Sequence, residues 1–278
     1  MAGATLPMAP SGAWNGPVTH TPDVFDKHRA DAPAGFFAWE AAGLGWLRGT
    51  DGGPEVVAVV GDVADDATSI TLARVRTAPA TRAAARDLGA ALARMHATGA
   101  PAFGAPPPGW SRPHGWIGRQ ELPLAHDPDL AWGAFYARLR LAPYLRAARD
   151  RGRFDAQDVR VVERVCARLE SGELDDGRPP ARIHGDLWGG NVLYSPAGAV
   201  LIDPAAHGGH GETDLAMLAL FGTEHLRDVE DAYADAARLD PGWRERTGLH
   251  QLHPLLVHAV SHGPSYAAHA LEVARRYA

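Results

Sequence analysis

The sequence predicts an α+β fold of two unequal lobes, a small strand-containing lobe over residues 1–75 and a larger, mostly helical lobe over residues 76–278. Short β-branched segments and one helix precede residue 75, and long helical patterns dominate after it. The chain has 278 residues, of which 46% are apolar, so it is long enough for one large domain or two modest ones with real cores.

In the small lobe, the first 30 residues are rich in Gly, Pro and Thr and lack a hydrophobic period, which predicts irregular chain. Residues 35–47 predict a helix, because apolar side chains recur there at helical spacing. Residues 55–61 and 69–75 are β-branched and bounded by Gly and Asp, so they predict two short strands.

In the large lobe, residues 81–98 predict a helix with Leu88 and Leu92 on one face, ended by Gly99. A proline-rich loop is predicted from residue 106 to about residue 128. Helices follow over residues 129–152, interrupted by Pro143, and over residues 155–170 with Asp155 as the N-cap.

The composition of the chain excludes several classes of function. The chain has 27 Lys and Arg against 33 Asp and Glu, a net charge of −6, and no basic block, so nucleic acid and anionic membrane are poor partners. The longest apolar run, residues 215–221, is too short to cross a bilayer. No basic residue precedes an apolar stretch at the start, so we expect a soluble cytoplasmic protein. The single cysteine, Cys166, excludes an internal disulfide framework.

Polar residues that can carry chemistry concentrate between residues 181 and 221. An apolar approach ends in His184-Gly185-Asp186, and Asn191 follows five positions after the aspartate. Two β-branched segments then flank Ser-Pro-Ala-Gly, which is a hairpin pattern, and the second segment ends in Asp203. The order places Asp186, Asn191 and Asp203 near one end of the hairpin.

That arrangement suits phosphoryl transfer. A kinase catalytic loop reads His-x-Asp-x-x-x-x-Asn, in which the aspartate accepts the hydroxyl proton and the asparagine holds Mg²⁺. A second aspartate after the next hairpin binds the metal that bridges the ATP phosphates. Asp and Asn are also ordinary turn formers, so two unrelated turns joined by a hairpin are the alternative interpretation.

The segments HGDLWGGN, IDPA and ETDLAMLALFG resemble the fructosamine kinase (ketosamine-3-kinase) family, one of the aminoglycoside-phosphotransferase-like kinases within the protein-kinase-like superfamily. Trp188 separates this family from relatives that share only the HGD-x-x-x-x-N pattern. The resemblance extends over roughly residues 33–260 and is most specific at residues 184–222. It implies a two-lobed protein-kinase-like fold, ATP and Mg²⁺ as cofactors, and a ketosamine, free or protein-bound, as the acceptor whose phosphorylation leads to deglycation.

The resemblance also implies roles for individual residues. Asp186 would be the catalytic base, and Asn191 and Asp203 would be the Mg²⁺ ligands. The substrate side would hold Trp188 and His207. On the nucleotide side, Lys27 would bind the phosphates, and Glu40 on the small-lobe helix would be its acidic partner. The hinge that receives adenine would be Ala73-Arg74-Val75.

The sequence departs from the family pattern in two places. A kinase small lobe usually opens with two strands joined by a Gly-rich loop that covers the phosphates, and Gly12 and Gly16 could form such a loop. Only 26 residues precede Lys27, however, and prolines interrupt them, so the small lobe looks short by a strand or two. Gly211 stands where family members typically carry Arg before the glutamate.

Other functions stay open from the sequence. The chain could be a kinase-like protein that binds sugar amines without turnover, or it could phosphorylate an aminoglycoside or other amino sugar. A metal-dependent hydrolase is the alternative from another class, since the histidine pairs at 207/210 and 250/253 invite a metal. Its site would use His184, Asp186, Asp203 and His207.

Overall fold

The computed structural model of the chain describes residues 23–278. Gly12, Gly16 and most of the segment predicted to be irregular lie outside the described residues. The small lobe contains strand β1 (Val24–His28), helix α1 (Phe36–Arg48) and strands β2 (Glu55–Val56) and β3 (Ser69–Ala73). The first helix was predicted to within a residue, whereas the strand predicted over residues 55–61 keeps only its first two residues.

Strand β1 corrects the prediction of irregular chain up to residue 30. It pairs antiparallel with β3, in a register that places Lys27 opposite Ile70 and Asp26 opposite Thr71. Asp26 is accommodated in the strand because the Thr71 hydroxyl donates a 2.6 Å hydrogen bond to its carboxylate. Strand β1 therefore presents Lys27 at a fixed register position.

A second sheet joins the two lobes. Strand β2 pairs in parallel with β8 (Gly198–Leu201), which pairs antiparallel with β7 (Val192–Ser195). The predicted hairpin is therefore confirmed, and it is continuous with a strand from the small lobe. This sheet holds the residues that flank the hairpin against the small lobe.

The large lobe is mostly helical, as predicted. Its helices are α2 (Arg82–Ala97), α3 (Trp132–Phe135), α4 (Ala142–Asp150), α5 (Ala156–Glu170), α6 (Gly211–Phe221), α7 (Leu226–Ala237), α8 (Trp243–Ser261) and α9 (Pro264–Ala274). Its remaining strands are β4 (His114–Ile117) and β5 (Gln120–Pro123), which pair antiparallel, and β6 (Ala181–Ile183) and β9 (His207–Gly209), which also do. Asp155 caps α5, as predicted, and Thr81 caps α2.

Two predictions for this lobe change. The proline-rich loop contains the hairpin β4–β5. The helical segment 129–152 is interrupted before Pro143, by a π-helical stretch over Tyr136–Leu141, and not by the proline itself. Pro143 is the second residue of α4, which continues directly from the π-helical stretch.

Two buried apolar clusters form the core. One contains Phe37, Leu44 and Leu47 of α1 together with apolar residues of α2 and the β7–β8 hairpin. The other is formed mainly by α4, α5, α8 and α9, and it includes one residue of α1, Trp39. Helix α1 therefore contributes to both cores. Within residues 23–278, no helix combines the length and apolar character that a membrane span requires.

Candidate active site

Three separate elements bring Lys27, Glu40 and Asp203 together. The Lys27 ammonium lies 2.8 Å from a carboxylate oxygen of Glu40 on α1 and 2.8 Å from one of Asp203, which follows β8. Burial alone would lower the pKa of Lys27, but the two carboxylates raise it above its ordinary value, so the ammonium stays charged. Burial raises the pKa of Glu40, although the positive charge of Lys27 acts to lower it. The site therefore holds a fixed cation beside the hairpin.

The loop from His184 to Asn191 carries the predicted base. The Asn191 side-chain amide donates to the backbone oxygen of Asp186 at 2.8 Å and lies 3.4 Å from its carboxylate. The same amide is 3.4 Å from the backbone oxygen of Asp203. Burial, reinforced by the negative charge of Asp203, raises the pKa of Asp186 to about 7. Asp186, Asn191 and Asp203 thus converge, as their order in the sequence predicts.

The oxygen atoms at this point fit a magnesium ion. Because the Asn191 nitrogen is committed to Asp186, its amide oxygen is left without a partner among the described residues. Asp203 adds a carboxylate that is about a third exposed, and its backbone φ of 54° is unusual for a residue other than glycine. Amide and carboxylate oxygens are the hard ligands that Mg²⁺ prefers. The two predicted ligands are therefore of the right chemistry and close together.

His184 braces this loop from inside. Its Nε2 donates to the backbone oxygen of Ile202 at 2.8 Å, because a carbonyl only accepts, which leaves Nδ1 to accept from the backbone N–H of Asp186 at 3.3 Å. Burial lowers the pKa of His184, which favours this neutral form. The His184 ring thereby connects the segment that carries the predicted base to the one that ends in Asp203.

Asp214 is a functional residue that the sequence reasoning missed. Its carboxylate accepts from the backbone N–H groups of His184 and Gly185 at 2.8 and 2.9 Å and from His96 at 3.0 Å. Burial alone would raise its pKa, but the hydrogen bond and charge of His96 and the backbone donors hold it below the ordinary value. The available signal was an acid within the apolar helix α6, since buried acids are rare unless they are partnered.

Of the three residues predicted to form the hinge, one keeps a backbone N–H without a hydrogen bond inside the described residues. The backbone N–H of Ala73 donates to Ala58 and that of Arg74 to Asp23, so both amides already hold the strands together. Val75 is half-buried, and its backbone groups make no hydrogen bond within residues 23–278. Of the three backbone N–H groups, that of Val75 is therefore the one left for a nucleobase within residues 23–278.

The two predicted substrate residues lie in different surroundings. Trp188 is half-buried in the loop, two residues after Asp186, with its ring edge-on to Phe221 at 6.4 Å. His207 is only 3% exposed; its Nδ1 donates to Ala205 and its Nε2 accepts from Arg140. Burial and Arg140 lower the pKa of His207 to about 3. Both ring nitrogens of His207 are thus hydrogen-bonded within the protein, and its role toward a substrate stays a prediction.

One histidine from each of the two histidine pairs joins a buried cluster of ionisable groups. His210, Glu212 and His250 are buried with nitrogen and oxygen atoms within 4.8 Å of one another, a grouping that could hold a metal. However, the Arg246 guanidinium pairs with both oxygens of Glu212, at 3.0 and 2.5 Å. A cation on the shared carboxylate opposes metal binding there. The histidines of the alternative hydrolase site, His184 and His207, are also poor metal ligands, because both ring nitrogens of each are already hydrogen-bonded.

Gly211 is explained by packing. A Cβ atom there would lie 2.5 Å from the Tyr233 hydroxyl and 2.8 Å from Nδ1 of His96. The typical family arginine therefore does not fit this backbone, and Arg246 already supplies a guanidinium to the neighbouring Glu212.

We expect Gly211→Ala to lower the free energy of unfolding by about 1–3 kcal/mol, because the added methyl overpacks the His96–Tyr233 contact. Urea denaturation followed by circular dichroism measures this change. Gly45→Ala is the matched control, since a Cβ at that helical position meets nothing within 4 Å. Equal stability of the two variants would contradict the packing explanation.

Comparison with known proteins agrees with the family resemblance that the sequence motifs indicate. A Thermobifida fusca crystal structure, provisionally described as a fructosamine-3-kinase, is 47% identical and superposes with a TM-score of 0.81, covering 91% of this chain and 84% of that one. A protein of Enterococcus faecium provisionally named a ketoamine kinase is 34% identical over 188 residues, or 66% of this chain and 63% of its own length. The ketosamine-3-kinase of Mus musculus is 31% identical over 154 residues, or 55% of this chain and 49% of its own length.

The similarity to these two named relatives thus spans about half to two thirds of their length. The sequence model of the family described as fructosamine kinase matches residues 14–277. That match includes both lobes and every residue of the site described above. The chain therefore belongs to the fructosamine kinase family.

Proposed function

We propose that this protein is an ATP- and Mg²⁺-dependent kinase that phosphorylates a sugar hydroxyl of ketosamines. The observation that carries the proposal is the convergence of Asp186, Asn191 and Asp203 beside the Lys27–Glu40 pair. A base, two oxygen ligands for a metal and a fixed cation for phosphate are the parts that phosphoryl transfer needs. The kinase names of the relatives support the same reaction.

We assign each residue of the site a role that follows from its charge and position. Lys27, held by two carboxylates, binds the phosphates of ATP, and Val75 offers backbone groups to the adenine. Asn191 and Asp203 would hold Mg²⁺, which when bound neutralises charge on the phosphates. Asp186 orients the acceptor hydroxyl and takes its proton as the oxygen attacks the γ-phosphorus, so the products are a phosphorylated sugar and ADP. A pKa of about 7 suits a base that works near neutral pH.

The acceptor is proposed from the relatives and from Trp188. Trp188 follows the base by two residues, and we propose that its half-buried indole contacts the sugar amine. Phosphorylating the sugar of such an adduct destabilises it and releases the amine, so the role we propose is deglycation. Because the reaction consumes ATP, we place it in the cytoplasm.

The test is an assay of ADP release with Mg-ATP and fructoselysine or ribuloselysine as the acceptor. We expect ADP to form only when the ketosamine is present, with unmodified lysine as the matched control acceptor. An aminoglycoside and a free amino sugar complete the panel. ADP released only with those acceptors would assign another substrate class, and no acceptor-dependent ADP from folded protein would contradict the kinase proposal.

A further inference from the structure

Helix α1 decides whether the nucleotide side of the site is assembled. It carries Glu40, whose carboxylate lies 2.8 Å from the Lys27 ammonium. Displacement of this helix would separate the pair without any change at the catalytic loop. What holds α1 in place is therefore a functional question.

The residue next to Glu40 anchors the helix in the opposite lobe. Trp39 is 2% exposed and belongs to the apolar core of the large lobe. Its indole N–H donates a 2.9 Å hydrogen bond to the backbone oxygen of Trp116 in β4. The rings of Trp39 and Trp110 meet edge to face at 5.2 Å. Successive residues on a helix point about 100° apart, so one turn of α1 sends Trp39 into this core and Glu40 into the cleft.

Every one of these Trp39 partners lies between residues 110 and 123, which we call the tryptophan hairpin. Its Gly115 faces the Trp39 indole so closely that a Cβ atom at that position would overlap the ring. On its other side, the hairpin is fixed to the large lobe. The Tyr144 hydroxyl donates to the backbone oxygen of Glu121 at 2.7 Å, and Arg140 donates to that of Pro123 at 2.7 Å.

The outer edge of the hairpin also reaches the small lobe. Arg112 pairs with both carboxylate oxygens of Asp65, at 2.7 and 2.6 Å. The backbone oxygen of Asp65 in turn accepts from the backbone N–H of Gly35, the residue that precedes α1. The start of α1 and its buried face are thus both connected to one segment of the large lobe.

We propose that the tryptophan hairpin is a built-in clamp that positions α1, so that Glu40 holds Lys27 ready for nucleotide. Trp39 and Gly115 are positioning residues in this scheme, since they act through Glu40 and touch neither ATP nor the acceptor. The inference rests on the proposed function, because it takes Lys27 and Glu40 as the phosphate-binding pair.

The test is a double-mutant cycle read out as Mg-ATP affinity by isothermal titration calorimetry without an acceptor. Gly115→Ala forces the Trp39 ring to move and should weaken Mg-ATP binding about tenfold, since residues coupled through one contact network interact by amounts of this order. Glu40→Gln should weaken it as well. If the clamp acts through Glu40, Gly115→Ala adds less than about twofold in the Glu40→Gln background.

Each outcome decides a different point. Full additivity of the two changes would overturn the clamp, because a merely structural effect of Gly115→Ala does not depend on Glu40. If Glu40→Gln itself leaves Mg-ATP affinity unchanged, the phosphate-binding assignment fails, and the clamp fails with it. Gly45→Ala, on the same helix with open space around its Cβ position, should bind Mg-ATP like the parent protein.

A second variant keeps the test valid if Gly115→Ala does not fold. Trp39→Phe retains a buried aromatic ring but loses the hydrogen bond to Trp116. We expect a smaller loss of Mg-ATP affinity, about two- to fivefold, that again disappears in the Glu40→Gln background. A loss of the same size in both backgrounds would overturn the clamp.

Discussion

Asp186→Asn is expected to lower kcat by about 10²–10⁴-fold, the usual effect of removing a general base, while nucleotide affinity changes little. The variant keeps the shape of the side chain but no longer takes a proton from the acceptor hydroxyl. The loop should keep its position, because His184, Asn191 and Asp214 hold it mainly through backbone atoms. Steady-state ADP release measures the rate, and calorimetry measures nucleotide binding.

The matched control is Asp235→Asn, the same chemical change on an exposed residue of α7. It should keep parental kcat. If Asp186→Asn retains most of its turnover, Asp186 is not the base. A large loss of nucleotide affinity in the same variant would instead show that Asp186 helps to hold the metal and its phosphates.

The part of the site that is close in sequence was the part that could be predicted. Asp186, Asn191 and Asp203 lie within 18 positions and are joined by a hairpin whose turn residues are unambiguous. A short chain with a fixed turn leaves few arrangements, so order alone implies convergence. The Lys27–Glu40 pair also came together, but its prediction depended on family resemblance, because neither residue stands in a distinctive local pattern.

What could not be predicted depends on contacts between distant positions. Strand β1 contains an aspartate that accepts a hydrogen bond from Thr71, 45 residues further along the chain. The contacts of Asp214 depend on the backbone of Gly185 and the ring of His96, which lie 29 and 118 positions earlier in the chain. The burial of His207 likewise depends on a contact with Arg140, 67 positions earlier in the chain.

The tryptophan hairpin shows the same limit. Prolines predicted a loop between residues 106 and 128, and they do mark its start. The hairpin inside it depends on Gly115, which leaves room for the Trp39 indole 76 positions earlier in the chain. Local propensity carries no information about such a contact.

Asp203→Asn is expected to abolish the increase in ATP affinity that Mg²⁺ produces and to lower kcat/KM by about 10²–10³-fold, since a metal contributes several kcal/mol to charge stabilisation. The substitution keeps the size of the side chain but removes the charge of the only carboxylate among the two proposed ligands. Titrations with ATP in the presence of Mg²⁺ and of EDTA measure the metal-dependent part of the affinity directly.

Glu40→Gln is the decisive control for this last experiment. Both variants remove one carboxylate from Lys27, at 2.8 Å in each case, so both disturb the cation to a similar extent. Only Asp203 lies within reach of Asn191, through its backbone oxygen at 3.4 Å. Glu40→Gln should therefore weaken ATP binding but keep its dependence on Mg²⁺, whereas Asp203→Asn should lose that dependence. If Mg²⁺ still tightens ATP binding to Asp203→Asn, the metal is held by other groups, and the division of work between Lys27 and the oxygen ligands is wrong.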